Sequence, residues 1–222
     1  MDTILEDVRN RIVESLSGNL VCLFLTGSRA KGEEREESDY DLALIVSKAD
    51  EETLRTLRDV FLDHKGFSVY LLDEDDLRTL PKAMFLQFVH SKKLYGDFDY
   101  PLPSAEDVTD YMDIVRRGWL DRIRHYLILP HPREKLASAV LPALKDVYLC
   151  LSYLTFTETG TLPKTRKDTI AFLKGEGGNP LHVNLMKTLE NWDSKKDKIM
   201  EDPLPILLQI EAFFRMLSPC EL

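Results

Sequence analysis

Residues 25–46 read Leu-Thr-Gly-Ser-Arg-Ala-Lys-Gly-Glu-Glu-Arg-Glu-Glu-Ser-Asp-Tyr-Asp-Leu-Ala-Leu-Ile-Val. An apolar run, Leu20 to Leu25, ends in Gly27-Ser28; after a polar loop, Asp39 and Asp41 open a second apolar run through Val46. The pattern predicts a strand, a phosphate-sized turn and a strand carrying two carboxylates. Side chains alternate along a strand, so Asp39 and Asp41 point the same way, about 7 Å apart at about 3.3 Å per residue. Tyr40, Leu42, Leu44 and Val46 take the other face. Two carboxylates on one side of a strand repel unless a cation sits between them, and hard oxygen ligands suit Mg²⁺ or Mn²⁺. Gly27 lets the backbone approach a bound group, and Ser28 adds a hydroxyl and an N–H at a helix start, which makes an anion site. A metal on two aspartates beside a phosphate cradle points to transfer of a phosphate-containing group.

The surroundings of this stretch alternate helix and strand. Ile4, Leu5, Val8, Ile12, Val13 and Leu16 lie at helical spacing over residues 2–17, and Gly18-Asn19 stops the helix. Asp50 to His64 predicts a second helix, Phe67 to Leu72 a third strand, and Asp73 to Val89 a third helix that Pro81 limits or kinks. Lys93 to Gly96 predicts a short closing strand. A small mixed sheet with helices on one face is the economical arrangement. Tyr100-Pro101-Leu102-Pro103-Ser104 marks the domain boundary. Beyond it the pattern is wholly helical: Asp107 to Leu129, Glu134 to Thr157, Thr165 to Leu173, Leu181 to Trp192 and Pro205 to Leu217, an antiparallel bundle joined by short connections. The expected class is therefore α+β, with a mixed-sheet domain over residues 1–100 followed by an all-α domain over residues 104–222.

Composition narrows the setting. The chain of 222 residues carries a formal charge of −9, which disfavours long nucleic acid as a partner, because binding it needs Lys and Arg to displace counterions. No apolar run approaches the roughly 20 residues of a membrane span, and the N-terminus lacks the basic and apolar regions of a signal peptide. A cytoplasmic protein is expected. Cys22, Cys150 and Cys220 show no metal-ligand spacing, and Cys22 and Cys150 fall in apolar segments, so reduced thiols are expected.

Gly27-Ser28, ten residues, then Asp39-x-Asp41, with a strand on either side, resembles the signature of the DNA polymerase beta-like nucleotidyltransferase superfamily, in particular its small prokaryotic and antibiotic-modifying members. The resemblance implies a nucleotidyltransferase domain in which Asp39 and Asp41 are catalytic and bind Mg²⁺ (or Mn²⁺). It implies nucleotide contacts from Gly27, Ser28, Arg29, Lys31 and Ser38. Arg29 and Lys31 alone read equally well as solvated loop charges. A second resemblance lies at 149–164, Leu-Cys-Leu-Ser-Tyr-Leu-Thr-Phe-Thr-Glu-Thr-Gly-Thr-Leu-Pro-Lys, which looks like the bundle segment of aminoglycoside adenylyltransferases and makes residues 104–222 an expected acceptor-binding domain. Gly160 there also reads as a helix C′ residue, and Lys164, Arg166 and Lys167 as further phosphate contacts.

One departure stands out. The superfamily usually has a third carboxylate on the strand after the aspartate strand, and the run Val69-Tyr70-Leu71-Leu72 puts Tyr70 there. A phenol with an unperturbed pKa of about 10 is a poor base and a poor Mg²⁺ ligand near neutral pH. Asp73 is the first substitute for the missing carboxylate or base, with Glu74, Asp76, Asp110, Asp113 and Glu158 behind it.

The resemblance thus implies Mg²⁺-dependent transfer of a nucleoside monophosphate from an NTP, expected to be ATP, to an acceptor hydroxyl or amine, with a small-molecule acceptor favoured over a protein. The alternative is a catalytically weakened nucleotide-binding or protein-interaction module, an antitoxin-like regulator. A ribonuclease motif of Arg and His on one helix fits Arg124 and His131 by count, but Pro130 breaks the helix between them. A homodimer is left open.

Overall fold

The structure, a computed structural model, describes residues 2–35, 38–175 and 178–217. Glu36, Glu37 and Cys220 lie outside the described residues. The chain divides into two compact units, Met1–Pro103 and Ser104–Leu222.

The first unit is a four-stranded mixed sheet in the order β3-β2-β1-β4. It comprises β1 (Leu20–Leu25), β2 (Tyr40–Val46), β3 (Phe67–Leu72) and β4 (Lys92–Gly96), with β2 antiparallel to β1 and parallel to β3. Helix α1 (Thr3–Ser15) starts where the Asp2 carboxylate accepts the Ile4 N–H, and it buries Leu5, Val8 and Ile12 at helical spacing. With Leu57 and Val60 of α3 (Glu51–Phe61) these cover the sheet face formed by Leu23, Leu25, Leu42, Leu44 and Val46. The period-2 alternation of β2 accordingly splits as its sequence requires, with Tyr40 on this face.

The opposite face is not bare, which amends the expectation of helices on one side. Cys22, Phe24, Ala43, Ile45 and Leu72 pack there with Phe85 and Phe88. These phenylalanines come from a 3-10 segment, Lys82–Phe88, which follows a short helix, α4 (Glu74–Thr79). Pro81 divides what the apolar spacing predicts as one helix, because its ring removes an N–H and restricts Leu80 to extended backbone. The residues between Thr26 and Gly32 also form a short helix, α2 (Gly27–Lys31).

The second unit is helical throughout: α5 (Ala105–Ile128), α6 (Arg133–Thr159), α7 (Arg166–Gly175), α8 (Pro180–Glu190), α9 (Trp192–Glu201) and α10 (Leu204–Met216). Helix α9 is absent from the sequence reading. Its run Trp-Asp-Ser-Lys-Lys-Asp-Lys-Ile-Met-Glu buries only Trp192 and Ile199, too few apolar positions to show a period. Helix α6 has the length and hydropathy of a membrane span. It is the core helix of this unit, with Val140, Leu144, Val147 and Leu151 buried among its neighbours. Gly160 ends it in the left-handed region at φ +71°, the conformation a C′ glycine adopts at low cost.

Candidate active site

The site grows from the junction of β1, α2 and β2. Thr26, between β1 and α2, donates its backbone N–H (2.8 Å) and its hydroxyl (3.2 Å) to the Asp41 carbonyl. Its side chain therefore does not cap α2. The first-turn N–H groups of a helix have no partner within it, and here they begin at Gly27 and Ser28. Gly27 has φ +66°, and a Cβ on it would lie 2.0 Å from Asp41 Oδ2 and 2.8 Å from Asp41 Cγ. The turn is thus seated directly on the second carboxylate, and only glycine permits that approach. Asp39, one step before β2, is exposed, and Asp41 is half-buried. The Asp39 Oδ1 lies 4.0 Å from where a Cβ would stand on Gly66, so a second glycine flanks the first carboxylate.

The polar loop residues have defined structural partners. Arg29 Nε and Nη2 both donate to the Ser38 carbonyl, at 3.0 and 2.8 Å. Its guanidinium carbon stands 3.9 Å over the Tyr40 ring. The Ser38 hydroxyl accepts the Arg35 N–H at 2.9 Å. Lys31 closes α2, half-buried, followed by Gly32 at φ +76°. The structure therefore places Gly27, Ser28, Asp39 and Asp41 at one strand mouth, with Arg29 and Ser38 bonded to each other beside it.

The parallel pairing of β2 and β3 sets what faces the aspartates. Asp41 pairs with Ser68, and Ala43 pairs with Tyr70. Ser68, exposed, is therefore the β3 residue opposite Asp41; Tyr70 lies one pleat further along, half-buried in the Phe85 and Phe88 cluster. Burial, and then the charge of Asp76, hold the Tyr70 phenol above its ordinary pKa. It stays protonated at neutral pH. Spacing alone does not fix the register of a crossover-linked strand, and it is the register that makes Ser68 the residue directly opposite Asp41.

Asp73, the first substitute carboxylate expected from the sequence, is engaged as a helix cap. It follows β3 at the end away from Ser68, about 16 Å along the strand at about 3.3 Å per residue. Its oxygens accept the N–H groups of Asp75 and Asp76 at 3.0 Å and of Ala49 at 3.2 Å. These backbone bonds, with Asp76 first and Ala49 next, hold its pKa below the usual carboxylate value. It is the N-cap of α4, completed as a capping box by Asp76. In the second unit Asp113 is engaged with Arg116 and Arg117, at 2.8 and 2.5 Å.

The donor set at the strand mouth fits a hard divalent cation. Among the described residues no group of three or more His, Cys, Asp or Glu side chains could hold a metal. The carboxylates that would contribute to such a site are Asp39 and Asp41, and Mg²⁺ is commonly bound by one or two carboxylates with substrate phosphates and water completing its shell.

Comparison with known proteins agrees with this geometry. Residues 10–95 match the protein family described as Polymerase beta, Nucleotidyltransferase, a span that contains every residue of the strand mouth. The first unit is a polymerase beta-type nucleotidyltransferase domain. Among solved structures, the spectinomycin adenyltransferase AAD(9) from Enterococcus faecialis, determined with ATP and spectinomycin, is similar at TM-score 0.56 and 13% identity. The likeness covers 96% of this chain and 98% of that one, so the nucleotidyltransferase domain and the helices after it share that protein's α+β fold. A toxin-antitoxin structure with AMP-PNP matches at 22% identity over 52% of this chain and 98% of that one, with a TM-score of only 0.31. No curated protein matches the sequence.

Proposed function

We propose that the chain transfers a nucleoside monophosphate from an NTP, with ATP the expected donor, to a hydroxyl or amine of a small-molecule acceptor, in the presence of Mg²⁺. The observation that carries the reading is the seating of Gly27 on Asp41: a glycine turn with first-turn N–H groups lies against the second of the two carboxylates at the strand entry. The α+β likeness to an adenyltransferase solved with ATP and a small molecule supports it.

In this reading Asp39 and Asp41 hold the cation, and the Gly27 and Ser28 N–H groups with the Ser28 hydroxyl orient the β- and γ-phosphates. A cation bound there would neutralise charge on the triphosphate and on the departing pyrophosphate. The acceptor oxygen or nitrogen attacks the α-phosphorus, a P–O bond forms or a P–N bond forms, and the bond to pyrophosphate breaks. The acceptor's proton does not pass to Tyr70, whose phenol remains protonated.

A second reading, a nucleotide-binding module with weakened catalysis, is favoured by one observation: β3 presents Ser68 and Tyr70, not a carboxylate, to the face of Asp41. Calorimetry of ATP and the other NTPs, with and without Mg²⁺, tests both for the parent and for Asp39→Ala/Asp41→Ala. Mg²⁺-dependent binding that is lost in the double variant supports the site and leads to an acceptor screen with labelled NTP, beginning with aminoglycosides and spectinomycin. Binding without transfer to any acceptor favours the second reading. A folded parent that binds no NTP refutes both.

A further inference from the structure

Asp39 precedes the regular ladder of the sheet. The pairing of β2 with β3 starts at Tyr40, and that with β1 reaches only Leu42, with Thr26 bonded to the Asp41 carbonyl. The Asp39 side chain is exposed. Its position must come from its chain neighbours, Ser38 and Tyr40.

Both neighbours are held by one side chain. Arg29 donates two N–H groups to the Ser38 carbonyl at 3.0 and 2.8 Å, and the same guanidinium lies 3.9 Å over the Tyr40 ring. Tyr40 is in turn anchored from other directions. Its ring stacks on Phe67 of β3 at 4.9 Å between centroids, its N–H donates to the Gly66 carbonyl at 2.7 Å, and its hydroxyl donates to the Asp2 carboxylate that caps α1. Arg29 thereby joins α2, which carries the glycine turn, to a tyrosine fixed by β3 and α1. A guanidinium suits this task because its planar fork can bond one acceptor twice while its face stacks on a ring, which an ammonium cannot do.

The geometry assigns Arg29 the role of a positioning residue, which fixes Asp39 by gripping the residues on both sides of it and does not itself ligate the nucleotide's phosphates. This rests on the reading of Asp39 and Asp41 as the metal carboxylates. It changes what a loss at Arg29 means, since the damage would appear in metal binding before any nucleotide is added.

The test is titration of the 222-residue chain with Mn²⁺ alone, free Mn²⁺ being read from its electron paramagnetic resonance signal. The parent is compared with Arg29→Lys, Arg29→Ala, Asp39→Ala and Arg29→Lys/Asp39→Ala, each checked for folding by thermal melting. Both Arg29 variants should weaken Mn²⁺ binding roughly 10-fold, the low end for a residue that orients a metal ligand. Lysine should not rescue, and the double variant should bind no more weakly than Asp39→Ala, because the effect runs through Asp39. If Arg29→Ala fails to fold, Arg29→Lys decides. Parent-like affinity in Arg29→Lys, with Asp39→Ala weakened, overturns the inference and leaves the metal reading standing. An Asp39→Ala variant that binds Mn²⁺ as the parent does overturns the metal reading, and the inference with it.

Discussion

Replacing Gly27 by alanine adds one methyl group at the point where the glycine turn meets the second carboxylate. The new Cβ would stand 2.0 Å from Asp41 Oδ2. An ordinary contact needs about 3.5 Å, so the carboxylate or the turn must move by about 1.5 Å. The backbone adds its own penalty: φ is +66°, and a residue with a side chain held there costs roughly 1–3 kcal/mol. For a domain of this size that lowers Tm by about 4–8 °C per kcal/mol. Gly32→Ala separates the two effects. Gly32 has φ +76° and nothing within 4 Å of an added Cβ, so it carries the strain without the clash. The assays are thermal melting and calorimetry of ATP with Mg²⁺. Both variants should melt lower, and Gly27→Ala alone should weaken Mg²⁺-dependent ATP binding, by on the order of 10- to 100-fold, the range for displacing a metal ligand from its support. A Gly27→Ala protein that binds ATP as tightly as Gly32→Ala would refute the claim that the turn must lie on Asp41.

Three further outcomes follow from the same geometry. Ser68→Asp places a carboxylate opposite Asp41 and should tighten Mn²⁺ binding, whereas Tyr70→Asp, one pleat away and in an aromatic cluster, should lower Tm without that gain; equal effects on Mn²⁺ would contradict the register. Asp73→Ala removes the cap of α4 and should lower Tm while leaving Mg²⁺-dependent ATP binding unchanged, and Asp73→Asn should restore part of the Tm, because its one side-chain oxygen still accepts the Asp75 and Asp76 N–H groups but not that of Ala49. In the second unit, burial raises the Asp146 pKa above 3.8 even though its carboxylate accepts the Trp119 Nε1–H at 2.5 Å. A raised folded pKa gives stability that is complete below pH 3.8 and lost as pH rises through the folded value. Asp146→Asn keeps the acceptor and removes the charge, so it should melt above the parent at pH 7, with the difference shrinking towards pH 3.8; a lower Tm at pH 7 would show that Arg122 and Lys145 outweigh the burial.

What could be read directly from the chain was local. Leu20–Leu25 is a contiguous apolar run and Phe67–Leu72 one interrupted only by Ser68, both bounded by Gly or polar residues, and their ends in the structure match the sequence reading. The alternation of Tyr40, Leu42, Leu44 and Val46 against Asp41, Ala43 and Ile45 is a property of any strand, so the face of Asp41 was legible before the sheet was known. Gly27, Ser28, Asp39 and Asp41 were legible for the same reason: a turn, a helix start and a strand entry fall within fifteen residues of each other.

Tertiary structure decided the rest. The register of β3 depends on how α3 packs across the sheet between the parallel strands, and no pattern within β3 records it; that packing puts Ser68 opposite Asp41 and carries Asp73 to the far end. Arg29 looks like any loop charge until Ser38 and Tyr40 return beneath it. Helix α9 is held by two buried side chains and its neighbours, with no apolar stripe of its own. Periodicity and turn chemistry act over a few residues and are written in order along the chain, whereas strand register and side-chain partners are set by contacts between segments that meet only after folding.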